Sequence, residues 1–266
     1  MVVRALAGAV VAGAITAGAR RMRALTPSGQ WAAFLSGVLA TMAGWWWSVT
    51  LIAFFSTSVA LTRWGAREKE RRTKGMLPRS SQRNAAQVVA NGGVFVLLAA
   101  GARYTGDERI ALAALGALAA ASSDTWSTEI GTLLGGTPRL ITTGGAVEAG
   151  MSGGVTAAGF AAGVSGALFL ASVGAIALPQ HRARLATAAA IGGFAGCVAD
   201  SLIGATLQTK RFCDRCGRWT ERLVHDCGYR SRHARGINWL SNDAVNLCGT
   251  LAGAVIALLA GWLMVR

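Results

Sequence analysis

The stretch QWAAFLSGVLATMAGWWWSVTLIAFFSTSVALT, residues 30–62, decides the fold. It is apolar throughout. At 33 residues it is too long for one ordinary membrane span and short for two. Six further apolar runs lie near 2–19, 85–102, 110–133, 151–178, 187–207 and 240–264, with 30–62 splitting into 30–44 and 46–62 around Gly44–Trp45 to complete the set. Charge arbitrates. With the split there are eight spans and both termini on one side. One membrane face then receives twenty basic residues, among them Arg20, Arg21 and Arg23, the group from Arg63 to Arg83, Arg139, and the group from Lys210 to Arg235. The other face receives six. Without the split there are seven spans, and the two largest basic groups fall on opposite faces. The positive-inside rule selects eight, with the twenty-charge face cytoplasmic. Trp45, Trp46 and Trp47 then sit at the opposite interface, where aromatic belts lie.

Composition agrees. Of 266 residues 53% are hydrophobic and only 14% charged, against about 25% charged in a soluble domain. Mean hydropathy is +0.43. A water-soluble enzyme, a disordered chain and a fibrous chain are all excluded. Gly and Ala abundance suits membrane helices that approach closely. The formal charge of +14 would suggest nucleic acid in a soluble protein, but topology accounts for it, so no nucleic-acid partner is expected. The N-terminal run, ending at Arg20–Arg21, reads as a first span and not as a cleavable signal. The fold class is an all-α polytopic helix bundle, one membrane domain over 1–266. It carries a basic cytoplasmic loop at 63–83, a Gly-rich loop at 135–154 and a Cys/His loop at 208–239.

Ionisable groups inside a bilayer cost about 2.5 kcal/mol or more each, which makes them functional candidates. Four regions qualify. In RNAAQVVANGG (83–93), Asn84, Gln87 and Asn91 share one helical face. SSDTWSTEIG (122–131) holds Asp124 and Glu129. Five residues apart, these two point about 140° away from each other on an ideal helix, so a break would be needed for both to serve one site. ADSLIGATLQ (199–208) holds Asp200, and SNDAVN (241–246) holds Asn242, Asp243 and Asn246. Asp200 and Asp243 flank the same cytoplasmic loop and can meet. Converging carboxylates need protons, arginines or cations, and carboxylate with amide oxygen is the hard ligand set of Mg²⁺ shared with phosphates. A proton or ion pathway uses the same groups.

Loop 135–154, GGTPRLITTGGAVEAGMSGG, combines glycines, Arg139, Thr142 and Thr143. Exposed backbone N–H groups and an arginine fork suit phosphate, although no Walker motif accompanies them. Lys210 is a further phosphate candidate. In RFCDRCGRWTERLVHDCG (211–228), Cys213, Cys216, His225 and Cys227 fit a closed, structural Zn²⁺ site, and a reducing cytoplasm disfavours a disulfide there. Cys197 and Cys248 lie in apolar spans and read as packing residues.

RNAAQVVANGG, SSDTWSTEIG, PRLITTGG with GMSGGVTAAG, ADSLIGATLQ and NDAVN, in that order from about residue 25 to the end, resemble the integral membrane family that includes phytyl-phosphate kinase and transmembrane protein 19. It began as a domain of unknown function and is distantly similar to phytol and dolichol kinases and phosphatidate cytidylyltransferases. The resemblance implies a kinase that converts an isoprenyl monophosphate, of phytyl or geranylgeranyl type, to the diphosphate, with CTP or ATP as donor. It implies Mg²⁺ on Asp124, Asp200 and Asp243, a shell completed or oriented by Glu129, Asn242 and Asn246, and phosphate or nucleotide contacts from Arg139, Thr142, Thr143, Lys210, Asn84, Gln87 and Asn91. The expected location is the plasma (inner) membrane of a prokaryote, with the active site on the cytoplasmic side. A lipid-phosphate cytidylyltransferase, a proton-coupled transporter and a scaffold without catalysis are the rival classes. No convincing inverted repeat favours the transporter.

Overall fold

The computed structural model describes residues 2–73, 82–176 and 182–265. Helix α1 (Val2–Arg21) turns back into α2 (Pro27–Ala43). Thr26 caps α2 by accepting from the Gly29 N–H, and Pro27 sits where its missing donor costs nothing. Gly44, at φ 153°, ends α2 and starts α3 (Trp45–Arg63). Few residues other than glycine accept that backbone. The split is a true hairpin: Thr41 and Ser48 hydrogen-bond beside the turn at 2.9 Å, and Phe55 and Val59 at the far end pack with Ala33 and Leu25. After the short α4 (Ala66–Thr73) come α5 (Ala85–Thr105), α6 (Glu108–Leu134), α7 (Ala157–Ala175), α8 (Arg182–Thr206) and α9 (Asn242–Val265).

Six of these helices are long and apolar enough to cross a membrane: α1, α3, α5, α7, α8 and α9. Of the other two long helices, α2 has 17 residues, and α6 has 27 and carries Asp124 and Glu129. Helix α6 is the axis of the bundle. It is buried from Ala111 through Ser123, as a helix apolar on all sides must be. Its neighbours approach through glycine. A Cβ on Gly116 would lie 2.5 Å from the Gly253 carbonyl oxygen, one on Gly192 would meet the same oxygen at 2.5 Å, and one on Gly196 would lie 2.7 Å from Ala120 Cβ. In lipid no hydrophobic force pulls helices together, so this backbone contact, with bonds such as Ser122 Oγ to the Gly166 carbonyl (3.0 Å), holds α6, α7, α8 and α9.

The expectation of an all-α fold needs correction in the loops. Strands β1 (Arg139–Leu140) and β2 (Gly154–Val155) pair antiparallel within 135–154, and β3 (Lys210–Cys213), β4 (Arg218–Thr220) and β5 (Arg232–Arg235) form a sheet of order β4-β3-β5. The basic loop 63–83 contains α4, and its residues 74–81 lie outside the described residues. These loops gather at one end of the bundle, the end to which the twenty-charge face belongs.

Candidate functional site

Asp124 from α6, Asp200 from α8, Asn246 and Thr250 from α9, and Asn91 from α5 line one narrow crevice walled by Ala120, Ala121, Gly196 and Gly249. The small walls are required. A Cβ on Gly249 would stand 3.1 Å from Asp200 Cβ. With its amide nitrogen turned toward Asp200, Asn246 donates to Asp200 Oδ2 at 3.0 Å and to the Asn242 carbonyl at 3.2 Å. Thr250 donates to the Ala90 carbonyl, which ties α9 to α5, and Asn91 donates back to the Gln87 carbonyl within α5. Asp124 has neither a hydrogen bond nor an ion pair among the described residues. Asp243 sits half-buried in the first turn of α9, where free N–H groups favour a negative charge. Asn242 is exposed.

Asp243 does not line the crevice, and a fourth carboxylate, absent from the sequence reading, lies between it and Asp200. Glu221 follows β4 in the Cys/His loop. Its Oε1 accepts from Ser152 Oγ at 2.6 Å and from Gln208 Nε2 at 2.8 Å. Burial pushes its carboxyl above the usual range. The two hydrogen bonds and the Lys210 charge oppose that, and Asp243 nearby adds to it. Lys210 donates to the Ser152 carbonyl at 3.2 Å. Burial, then Arg235, lowers the pKa of its ammonium. In sequence it is one of three acids in the Cys/His loop, with Asp214 and Asp226, and each reads as a solvated charge.

Loop 135–154 folds back over α8. Gly153, at φ 79°, lies so close to α8 that a Cβ would be 2.5 Å from Ala205 Cβ. Neighbouring Ser152 meets Glu221 and packs near Gly204, so this end of the loop lies against α8 one turn beyond Asp200. The other expected phosphate binders lie at the tip. Thr142 and Thr143 are exposed, and Arg139 is spent on the loop itself, donating to the Gly144 carbonyl at 2.8 Å.

Helix α6 runs unbroken through Asp124 and Glu129, so the two serve different places. Glu129 pairs with Lys69 of α4 and accepts from Thr62 Oγ1 at 2.6 Å. Lys69 also donates to the carbonyls of Leu61 (2.7 Å) and Thr62 (3.0 Å), capping α3. Arg83 donates to Thr62 Oγ1 at 3.1 Å and meets no carboxylate within ion-pair distance among the described residues. Burial lowers its pKa, partly offset by Glu129. Asn84 is not inside α5 but caps it. Asn84 accepts from the Gln87 N–H and Gln87 from the Asn84 N–H, a reciprocal box. Beside this group opens an apolar cleft of about 110 Å³ between α1, α2, α3 and α5, with Arg83, Gln87 and Asn91 at its polar end. Asn91 thus lines both cleft and crevice.

In the Cys/His loop, the ligand atoms of Cys213, Cys216, His225 and Cys227 all lie within 4.8 Å of one another. Cys213 Sγ and Cys227 Sγ are 3.6 Å apart, and His225 Nδ1 and Cys227 Sγ 3.3 Å. A tetrahedron of thiolates at zinc distances has edges of about 3.8 Å, so the group fits a tetrahedral metal ion. Hydrogen bonding from His225, then the Tyr229 backbone, brings the Cys227 thiol down to about 6, which suits a ligand that must deprotonate.

Residues 10–254 match the family model "Integral membrane protein DUF92". Protein PGR of Arabidopsis thaliana is 30% identical, with 90% of each chain covered. An uncharacterized membrane protein of Methanocaldococcus jannaschii is 29% identical, covering 84% of this chain and 79% of its own. No solved structure matches. The residues matched by the family model include the whole crevice and the Cys/His loop, and the chain belongs to the DUF92 family of integral membrane proteins.

Proposed function

We propose that this protein is a nucleoside-triphosphate-dependent kinase that converts an isoprenyl monophosphate to the diphosphate at the cytoplasmic face of its membrane, with all eight long helices crossing. One observation carries the reading: a crevice of hard oxygen ligands and an apolar cleft share Asn91 as a common wall. A lipid tail and a charged head meet there, within reach of a soluble nucleotide.

Asp124, Asp200 and Asp243 would hold Mg²⁺, with Glu221 beside them and Asn246 orienting Asp200. The ion supplies neutralisation of the phosphate charge that these carboxylates would otherwise repel. The residues do the positioning that phosphoryl transfer chiefly requires. Arg83, Gln87 and Asn91 face the acceptor phosphate. Lys210 and the backbone of 152–154 face the donor, with Arg139, Thr142 and Thr143 available if the loop tip closes down. Asn84 holds the α5 N-terminus, and Asn242 the start of α9. Glu129 fixes Lys69 and the Arg83 neighbourhood and acts at a distance. An oxygen of the lipid phosphate, ionised at neutral pH, attacks the terminal phosphorus of the triphosphate. A new P–O–P link forms as the bond to the nucleoside diphosphate breaks, and that diphosphate leaves with its electron pair. No strong general base is needed. Cys213, Cys216, His225 and Cys227 would hold Zn²⁺ with no open position, so its role is structural. Four ligands close the loop that carries Glu221 and Lys210 to the crevice.

The test is a product assay on purified protein with geranylgeranyl monophosphate, Mg²⁺ and each of CTP, ATP, UTP and GTP. The expected result is the diphosphate from one or more donors, lost by at least about 100-fold in Asp200→Asn while the protein stays folded. A nucleotide-linked lipid would move the assignment to a cytidylyltransferase. Folded protein that binds Mg²⁺ yet turns over no prenyl phosphate would make transport the better reading.

A further inference from the structure

We propose that the turns at the ends of α1 and α3 form a docking site for the headgroup of an anionic membrane phospholipid. Arg20, Arg21, Arg23 and Arg63 meet the phosphate, and Met22 and Trp64 lie against the lipid below it. The site is separate from the crevice and does not depend on the kinase reading.

The end of α1 carries the first observation. The Ala24 N–H donates to the Ala19 carbonyl at 2.8 Å, and the Arg23 N–H to that of Arg20 at 2.9 Å. Ala19 and Ala24, each 3% exposed, pack together beneath. This is a Schellman cap, whose left-handed position ordinarily takes glycine. Here it holds Arg23, at φ 55°, the one non-glycine residue with positive φ among the described residues. A side chain on that backbone costs energy that glycine would avoid. The fold gives nothing back for it: the Arg23 side chain is exposed, with no hydrogen bond or ion pair among the described residues. Its use lies outside the chain.

Its neighbours share that condition. Arg20 and Arg21 are exposed, and no acid precedes Glu68 in the chain. The Glu68 carboxylate is already taken by Arg71 and Arg72, at 2.8 and 2.9 Å. Arg63, also exposed, reaches across from the end of α3. Its guanidinium donates to the Met22 carbonyl and lies 3.8 Å from Met22 Sδ. That clamp holds the two turns side by side, so four guanidiniums gather without a carboxylate among them. Their planar forks suit phosphate. Membrane topology asks only for positive charge on this face; it requires neither the left-handed arginine nor the clamp. Met22 and Trp64, 55% and 52% exposed, choose between a soluble anion and a lipid. Free phosphate would leave both bare. A phospholipid covers them while its headgroup meets the arginines, and a tryptophan at the end of a span belongs at that depth. Occupancy also reaches α5. The Arg83 N–H donates to the Ala24 carbonyl at 2.9 Å and the Thr26 N–H to the Arg83 carbonyl at 3.0 Å, so a headgroup on this turn braces the start of the helix that carries Asn91.

The test places the full chain in nanodiscs of phosphatidylcholine alone, or of an equal mixture with phosphatidylglycerol. Native mass spectrometry counts retained phosphatidylglycerol, and Tm is read in both lipids. Wild type keeps phosphatidylglycerol and melts higher in the mixture. Arg23→Gly lowers phosphatidylglycerol affinity by about fivefold, and Arg21→Gln/Arg23→Gly by about twentyfold, as expected for arginines at a membrane surface. In phosphatidylcholine Arg23→Gly melts no lower than wild type, because glycine relieves the cap; its gain in the mixture shrinks. Arg218→Gln, exposed on β4 of the Cys/His loop, leaves both readouts as in wild type. An equal loss in Arg218→Gln would reduce the effect to general surface charge and overturn the site. A lower Tm for Arg23→Gly in phosphatidylcholine would give the arginine a structural role and overturn it too. Full stabilisation by glycerol phosphate, which has the headgroup without tails, would make this a site for a soluble anion and overturn the lipid.

Discussion

Replacing Lys69 with methionine should destabilise the protein by about 3 kcal/mol, and neutralising its partner should recover most of that loss. The Lys69 and Glu129 side chains are only 10% and 19% exposed. Removing one member of a buried pair costs about 3–5 kcal/mol, because the survivor keeps its desolvation penalty without its partner. Two features place this pair at the low end: Thr62 Oγ1 still donates to the carboxylate at 2.6 Å, and the pair lies at the end of the bundle. At roughly 2–4 °C per kcal/mol for a chain of this size, Lys69→Met should lower Tm by about 6–12 °C. Glu129→Gln in the same background removes the stranded charge and should return about 2 kcal/mol. Recovery is incomplete because Lys69 also caps the Leu61 and Thr62 carbonyls. The assay is tryptophan fluorescence during heating in detergent, at one scan rate, for wild type, both single variants and the double. Additivity within about 0.5 kcal/mol would refute the pair as a structural unit and leave Glu129 free to complete or orient the cation shell.

Three further outcomes are expected. Purified protein should carry one zinc per chain by elemental analysis, and Cys213→Ser should lose it while the helical circular dichroism persists, since the loop's sheet lies outside the bundle. Glu221→Gln should flatten the stability–pH curve. A carboxyl raised above its ordinary 4.5 by burial binds protons in the folded state that the unfolded chain has released, so wild type loses stability as pH rises from 4.5 through the folded value, and the amide does not; an equal slope in both, followed by denaturant titration, would contradict the burial. Gly153→Val, impossible to seat against Ala205 at φ 79°, should lift the loop and lower kcat at least about tenfold with zinc content unchanged.

Most of the bundle was legible because lipid leaves few choices. Apolar length and arginine placement gave eight helical segments, and Gly44 with three tryptophans marked the hairpin. Asp124, Asp200, Asn91 and Asn246 were legible as polar groups too costly to be incidental, and they line one crevice. Short strands were not legible: β1 and β2 have two residues each, too few for any periodicity. Glu221 escaped because only the fold of the Cys/His loop brings its charge near Asp200, and chain distance gives no hint of it. Asn84 carried a readable sign that was passed over, since an Asn followed three residues later by Gln is a helix start. The separation of Asp124 from Glu129 was foreshadowed by their spacing, and the unbroken α6 makes it definite.

The glycine seams of α6, α8 and α9 set where this protein tolerates change. Gly116, Gly192 and Gly253 lie outside the crevice lining, yet each faces backbone or Cβ atoms nearer than 3 Å from where its own Cβ would stand. Any larger residue must spread the helices, and Asp124 and Asp200 ride on those same helices. Damage at a silent, apolar position would therefore surface as lost cation affinity, in a protein whose far loops remain folded. For a variant found in nature, distance from the carboxylates is a poor guide to harm; membership of the seam is the better one.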